Sequence, residues 1–252
     1  MNLGFSTLSL FMKSIDEMLT IAEEDGFNCI ELLGEGPYSP SNLLENKEYL
    51  EAFQSYDLEY YIHAPTIDLN IASLNEGIRK ESVKQTKECL DVAEIIGVKA
   101  ITIHPGKVGR PEDSIRQMGL QFATESVQEL VDYTEDKEVK LSVENMPERF
   151  SFLCNKVEEL ESLTQKTGCA ITIDLGHANT CPNPEYFTNI SNIEYFHLND
   201  NNGIKDQHVS LGEGTLDLNL LKKVKNGIIE LNNYQNVLKS KKVIESVLGK
   251  GV

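Results

Sequence analysis

Ala170-Ile-Thr-Ile-Asp174-Leu-Gly-His177 is a short apolar, β-branched run that ends in a carboxylate, with an imidazole three residues further on. Such a run reads as a strand buried on both faces, and the polar pair falls where the strand gives way to a loop. The same design recurs along the chain. Apolar runs lie at Leu3–Ser6, Cys29–Leu33, Tyr60–His63, Ala100–His104, Leu141–Glu144, Ala170–Asp174, Ile193–Leu198 and Ile228–Leu231. Amphipathic stretches separate them. Ser14-Ile-Asp-Glu17 is a capping box, and Gly26 marks where that helix should stop. A long helix is expected from about Glu76 to Gly97. Another should start at Pro111, and a third should open at Asn155-Lys-Val-Glu158 and close at Gly168. The segment from Asn179 to Asn192, with Pro182 and Pro184, reads as mostly loop. Eight strands alternating with helices predict a single (β/α)₈ TIM-barrel domain over residues 1–252. A doubly wound open sheet usually has fewer strands, and no glycine-rich phosphate fingerprint follows the first strand.

Composition narrows the function. The 252 residues include 40 acidic and 23 basic side chains, for a net charge of −17. Only Arg79, Arg110, Arg116 and Arg149 are arginines. That balance argues against a large, non-specific nucleic-acid footprint. No apolar run approaches the length of a membrane span, and the first residues carry no basic-then-apolar leader pattern. The five cysteines (Cys29, Cys89, Cys154, Cys169 and Cys181) are scattered and form no CxxC, which fits reduced thiols in the cytoplasm. Nothing in the sequence points to an obligate protein partner.

In a barrel of this kind chemistry belongs at the C-terminal ends of the strands. Those ends and the loops that follow hold His63, His104, Glu144, Asp174, His177, His197, Asp206, His208 and Glu230, which include all five histidines of the chain. Four carboxylates gathered at one mouth repel one another unless positive charge sits among them. Mixed imidazole and carboxylate donors suit zinc, with manganese or iron as alternatives. Nine donors exceed the needs of one ion and serve two or three, an arrangement suited to cleaving phosphodiesters.

The motifs around these residues are HAP at His63, HPG at His104, EN at Glu144, DxGH from Asp174 to His177, and HLND at His197. DxH followed by SLGEG runs from Asp206 to Gly214, and a terminal-strand glutamate stands at Glu230. Together they resemble the endonuclease IV family of abasic-site DNA repair enzymes (AP endonuclease family 2), within the wider xylose isomerase-like barrels. The resemblance implies a zinc cluster in which Glu144 bridges two ions. His63 and His104 would complete the first ion, Asp174, His197 and Glu230 the second, and His177, Asp206 and His208 would hold a third. It also implies hydrolysis 5′ to an abasic site in DNA; the acidic, arginine-poor composition leaves a smaller phosphate ester or sugar phosphate as the other substrate for the same chemistry. Glu144 and Glu230 would then be the catalytic pair, with Glu230 orienting or deprotonating the attacking water. Related barrels are sugar or sugar-phosphate isomerases and epimerases, which use four donors resembling Glu144, Asp174, His197 and Glu230 around one divalent ion. That alternative leaves the other five groups surplus.

Lys107, Arg110, Arg149 and Lys205 lie in the loops after strands four, five and seven and are candidates for holding a substrate phosphate. Asn145 and Asn199 flank proposed ligands and are candidates for orienting them. Tyr60, Tyr61 and Tyr195 read as core.

Overall fold

A computed structural model describes residues 1–249. Eight parallel strands pair in sequence order and close into a barrel, β1 against β8. They are β1 (Asn2–Ser6), β2 (Cys29–Leu33), β3 (Glu59–His63), β4 (Ala100–Ile103), β5 (Lys140–Glu144), β6 (Ala170–Asp174), β7 (Ile193–Leu198) and β8 (Asn226–Ile229). The helices are α1 (Ile15–Glu24), α2 (Pro40–Glu45), α3 (Lys47–Ala52), α4 (Glu76–Ile96), α5 (Asp113–Tyr133), α6 (Val157–Thr167), α7 (Leu175–Thr180) and α8 (Tyr234–Leu248). The connection from β7 to β8 holds only a 3₁₀ turn, Leu218–Lys223. No helix among the described residues is long and apolar enough to cross a membrane.

The capping box is present: Ser14 and Glu17 bond reciprocally. Gly97 and Gly168 end α4 and α6 in the left-handed conformation that glycine tolerates best. Three boundaries differ from the sequence expectation. Helix α6 begins at Val157, because the Asn155 side chain is drawn away from capping. Its Oδ1 accepts a bond of 2.7 Å from Arg116 and its Nδ2 donates at 2.8 Å to the Arg149 carbonyl. Pro111 stands outside α5, whose N-cap is Glu112. The 179–192 segment is more ordered than expected, since it takes in the end of α7 and a 3₁₀ turn over Pro184–Asn189 that starts on its proline.

Strand alternation sets what faces the barrel axis. Cys29, Tyr61, Ala100, Tyr195 and Ile228 form a small cluster apart from the larger core between sheet and helices. Two residues further along the same strands come Glu31, His63, Thr102, His197 and Glu230. On β5 and β6 the same spacing carries Ser142 to Glu144 and Thr172 to Asp174. A polar layer therefore lies on the apolar floor. Thr172 Oγ1 meets Thr102 Oγ1 at 2.5 Å and Ser142 Oγ at 2.7 Å. The strand-end histidines and carboxylates stand beside and above that layer.

Candidate metal centre

His63, Glu144 and Asp174 are the last residues of β3, β5 and β6, while His104 and Glu230 lie one residue beyond β4 and β8. The eighth strand starts and ends two residues earlier than the apolar run suggests, its register with β1 running from Asn2–Asn226 to Phe5–Ile229. Asp174 also serves as the N-cap of α7. Its Oδ1 accepts from the His177 backbone N–H at 2.7 Å, and the short helix brings His177 back over the barrel.

Glu144 sits at the centre of the group. Its Oε2 lies 3.0 Å from His104 Nε2 and 3.6 Å from His63 Nε2. Its Oε1 lies 2.7 Å from His197 Nδ1, and that nitrogen is 3.5 Å from Glu230 Oε2. On the open side Asp206 Oδ2 is 3.3 Å from His177 Nε2 and 3.2 Å from His208 Nε2. The nine residues thus fall into three overlapping sets and one separate set, the donor atoms within each set lying within 4.8 Å of one another. The sets are His63–His104–Glu144, His63–His197–Glu230, Glu144–Asp174–His197–Glu230 and His177–Asp206–His208.

Hydrogen bonds fix how each ring faces. The Nδ1 atoms of His63, His177 and His208 bond the carbonyls of Ala64 (2.9 Å), Asn145 (2.8 Å) and Glu230 (3.0 Å). A carbonyl only accepts, so each Nδ1 carries hydrogen and each Nε2 is free to face the centre. Asn145 holds the Asp174 backbone by both ends, with Oδ1 accepting from its N–H at 2.7 Å and Nδ2 donating to its carbonyl at 3.0 Å. Asn199 donates to Asp174 Oδ2 at 2.8 Å.

The residues fit bound cations. Glu144 Oε2 is buried and, although His104 Nε2 and His63 Nε2 stand 3.0 and 3.6 Å away, it accepts no well-formed hydrogen bond, an expensive state for a carboxylate oxygen. Without cations four of the five histidines are held toward the protonated form. Burial opposes the charge on His63, but the nearby Glu144 carboxylate prevails and pushes it up to about 9. Burial likewise opposes His208, and Asp206 and Glu230 raise it to about 10. His177 and His197 rise well above the usual imidazole range for the same kind of reason. Burial and the neighbouring His63 and His177 charges leave His104 lowered in spite of its Glu144 contact. Burial raises Asp174 to about 6, aided by the Glu144 charge and opposed by His177.

A raised imidazole stabilises the fold fully below its unfolded value near 6.5 and loses that contribution as pH climbs through its folded value. The melting temperature of the stripped protein is therefore expected to fall between pH 7 and pH 10, as His63 and His208 deprotonate. Thermal unfolding followed by circular dichroism checks this. A flat profile would contradict the assignment.

The loop that carries Asp206 and His208 is tied at its base. Asp200 and Val209 exchange backbone bonds of 3.0 and 2.9 Å. The buried Asp200 carboxylate accepts the backbone N–H groups of Asn201 (2.8 Å), Gly212 (2.9 Å), Gly214 (3.0 Å) and Leu216 (3.0 Å). A Cβ at Gly214 would strike the Asn201 carbonyl, which explains the glycine in SLGEG. Asp200→Ala is expected to cost about 3 kcal/mol, as several charge-assisted bonds are lost together. Denaturant unfolding measures it.

The cluster floors a cleft of about 530 Å³ whose wall includes Arg149, Lys205, Ile204, Met146 and Phe152. Lys107 lines a smaller side pocket of about 170 Å³ that shares His104 with the cleft. Arg110 is exposed and lines neither, so of the four expected phosphate contacts the structure brings only Arg149 and Lys205 to the cleft. Arg116 shapes that wall indirectly, since it donates to the carbonyls of Phe150 and Phe152 and pairs with Glu159. Tyr60, Tyr61 and Tyr195 are core, and the five cysteines are buried and unpaired.

Sequence reasoning missed Glu31. It is fully buried in β2, with Oε2 2.8 Å from His197 Nε2. An acid within the otherwise apolar run Cys-Ile-Glu-Leu-Leu was the available signal.

Residues 19–237 match the family described as xylose isomerase-like TIM barrel. An uncharacterized protein of Methanocaldococcus jannaschii is 30% identical over 265 residues, covering 98% of this chain and 89% of its own. A probable endonuclease 4 of Mycobacterium leprae is 26% identical over 229 residues, covering 82% of this chain and 84% of that one. The solved structure of a D-tagatose 3-epimerase-like protein superposes with a TM-score of 0.86 at 31% identity, covering 99% of this chain and 97% of that one.

Proposed function

The chain belongs to the xylose isomerase-like TIM barrels, and from that premise we propose that it is a metal-dependent phosphodiester hydrolase that holds two or three divalent ions, zinc foremost. The observation that carries this reading is the third donor set, His177–Asp206–His208, which stands beside a quartet already sufficient for one ion. Similarity to a probable endonuclease 4 supports a phosphodiester next to an abasic site as the bond cut. The acidic surface favours a smaller phosphate ester or sugar phosphate as the competing substrate within the same chemistry.

His63, His104 and Glu144 would hold one ion, Glu144, Asp174, His197 and Glu230 a second, and His177, Asp206 and His208 a third. Bound there, such ions would supply positive charge against the ester oxygens and lower the pKa of water. The chain's own groups do the rest. Arg149 and Lys205 line the cleft and would hold the phosphate. Burial raises Glu230, but the His197 and His208 charges outweigh it and keep the carboxyl below its usual range. In the ion-free centre it is thus held as a carboxylate, a group that could orient water and accept its proton. Five unpaired, buried cysteines fit the reducing cytoplasm as the place of action.

A second reading, sugar or sugar-phosphate epimerisation, is favoured by the similarity to the D-tagatose 3-epimerase-like protein. The quartet alone would serve it, with one carboxylate moving a proton beside a carbonyl. The two are separated by incubating zinc-loaded protein with an abasic-site duplex, with phosphate mono- and diesters, and with a panel of ketoses and aldoses. Ester cleavage in any of the first arms supports hydrolysis. Sugar interconversion without cleavage of any ester overturns it.

A further inference from the structure

Glu31 is a wholly buried carboxylate on β2 that lies outside the nine-residue cluster yet touches it. Its Oε2 accepts two bonds, from His197 Nε2–H at 2.8 Å and from the Tyr195 hydroxyl at 2.7 Å. Tyr195 is itself wholly buried and held by Thr102, which in turn meets Thr172 and, through it, Ser142. The chain of contacts therefore runs from the polar layer across the barrel axis into one face of the His197 ring. The opposite ring nitrogen, Nδ1, faces Glu144 Oε1 at 2.7 Å and Glu230 Oε2 at 3.5 Å.

His197 is thus turned the other way from its neighbours. His63, His177 and His208 hold Nδ1 against backbone carbonyls and aim Nε2 inward. A carboxylate takes the place of the carbonyl only at His197, and it grips Nε2. A carboxylate behind a ring fixes the tautomer and increases the electron density on the nitrogen in front. Glu31 Oε1 is buried and has no partner, so the carboxylate's contacts all run through Oε2 to His197 and Tyr195. The group is not needed for the packing of a strand whose other inward residues are apolar.

We propose that Glu31 is a positioning residue that commits His197 to ion binding through Nδ1, with Tyr195 holding the Glu31 carboxylate in place. The proposal rests on the ion-binding part of the preceding reading and is independent of which ester or sugar is the substrate. The protein would be stripped with chelator, titrated with zinc alone by calorimetry, and its histidine ¹⁵N spectrum recorded with zinc loaded. In the wild type, His197 should be the ring bound through Nδ1 with hydrogen on Nε2, whereas His63, His177 and His208 show the reverse. In Glu31→Gln, zinc affinity should fall roughly 10–100-fold at one class of site while the others stay within about twofold. Tyr195→Phe should show a smaller loss at the same site.

Wild-type affinity throughout in a folded Glu31→Gln protein would overturn the proposal. So would equal weakening at every site, which marks a folding role, or a His197 ring bound through Nε2. If Glu31→Gln does not fold, the wild-type spectrum decides. A stripped wild type that takes up no zinc would instead refute the ion-binding reading itself, a result distinct from normal loading in both proteins.

Discussion

Glu144→Ala is expected to abolish ester hydrolysis, a loss of at least about 10²–10³-fold, and to remove more than one ion from the protein. The size of the effect follows from position. The Glu144 carboxylate contacts His63, His104, His177 and His197, and it contributes to two of the four donor sets. Of those four rings, His177 and His197 each have a second carboxylate on the far side, Asp206 and Glu31 respectively. Once Glu144 is removed, His63 and His104 lose the acidic donor of their set. In the ion-free protein burial then drives the His63 ring toward the neutral form, because the Glu144 carboxylate that raised it is gone. Elemental analysis and an ester assay on the same preparation check both halves. Full ion content in Glu144→Ala would mean that Glu144 is not a shared donor.

His208→Ala should have the second largest effect and separate the two functional readings. It opens only the His177–Asp206–His208 set, because His208 contacts Asp206 and the Glu230 backbone carbonyl but neither Glu144 nor His197. Under the hydrolase reading, ester cleavage falls by about 10²-fold, since one of the charges facing the ester is lost. The quartet should still bind its ion. Under the epimerase reading, turnover of a sugar substrate survives the same change. Cleavage at the wild-type rate would show that the third set takes no part in hydrolysis.

The barrel was readable from the sequence because buried parallel strands are nearly continuous apolar runs, and their ends are marked by the first polar residue with a reason to be there. Asp174 ending Ala-Ile-Thr-Ile and Glu144 ending Leu-Ser-Val are such marks, and both stand at the cluster. Helix starts were less legible because they depend on distant partners. Asn155 has the right chemistry for a cap, yet Arg116, 39 residues away, takes its side chain. Glu31 was hidden for the same reason. Its partner His197 lies 166 residues away, and nothing local explains an acid inside a buried strand. Asp200 was visible as part of HLND, but its bonding to the SLGEG backbone exists only once the loop has closed. Arg110 was placed near the mouth by its loop alone, and loop membership does not set the direction of a long side chain.

The central claim is that the nine strand-end groups form a binding centre for more than one ion. Elemental analysis by mass spectrometry of protein purified without added metal tests it most directly. The account predicts two or three divalent ions per chain, with zinc dominant. One ion or none per chain, unchanged after incubation with zinc, would contradict it.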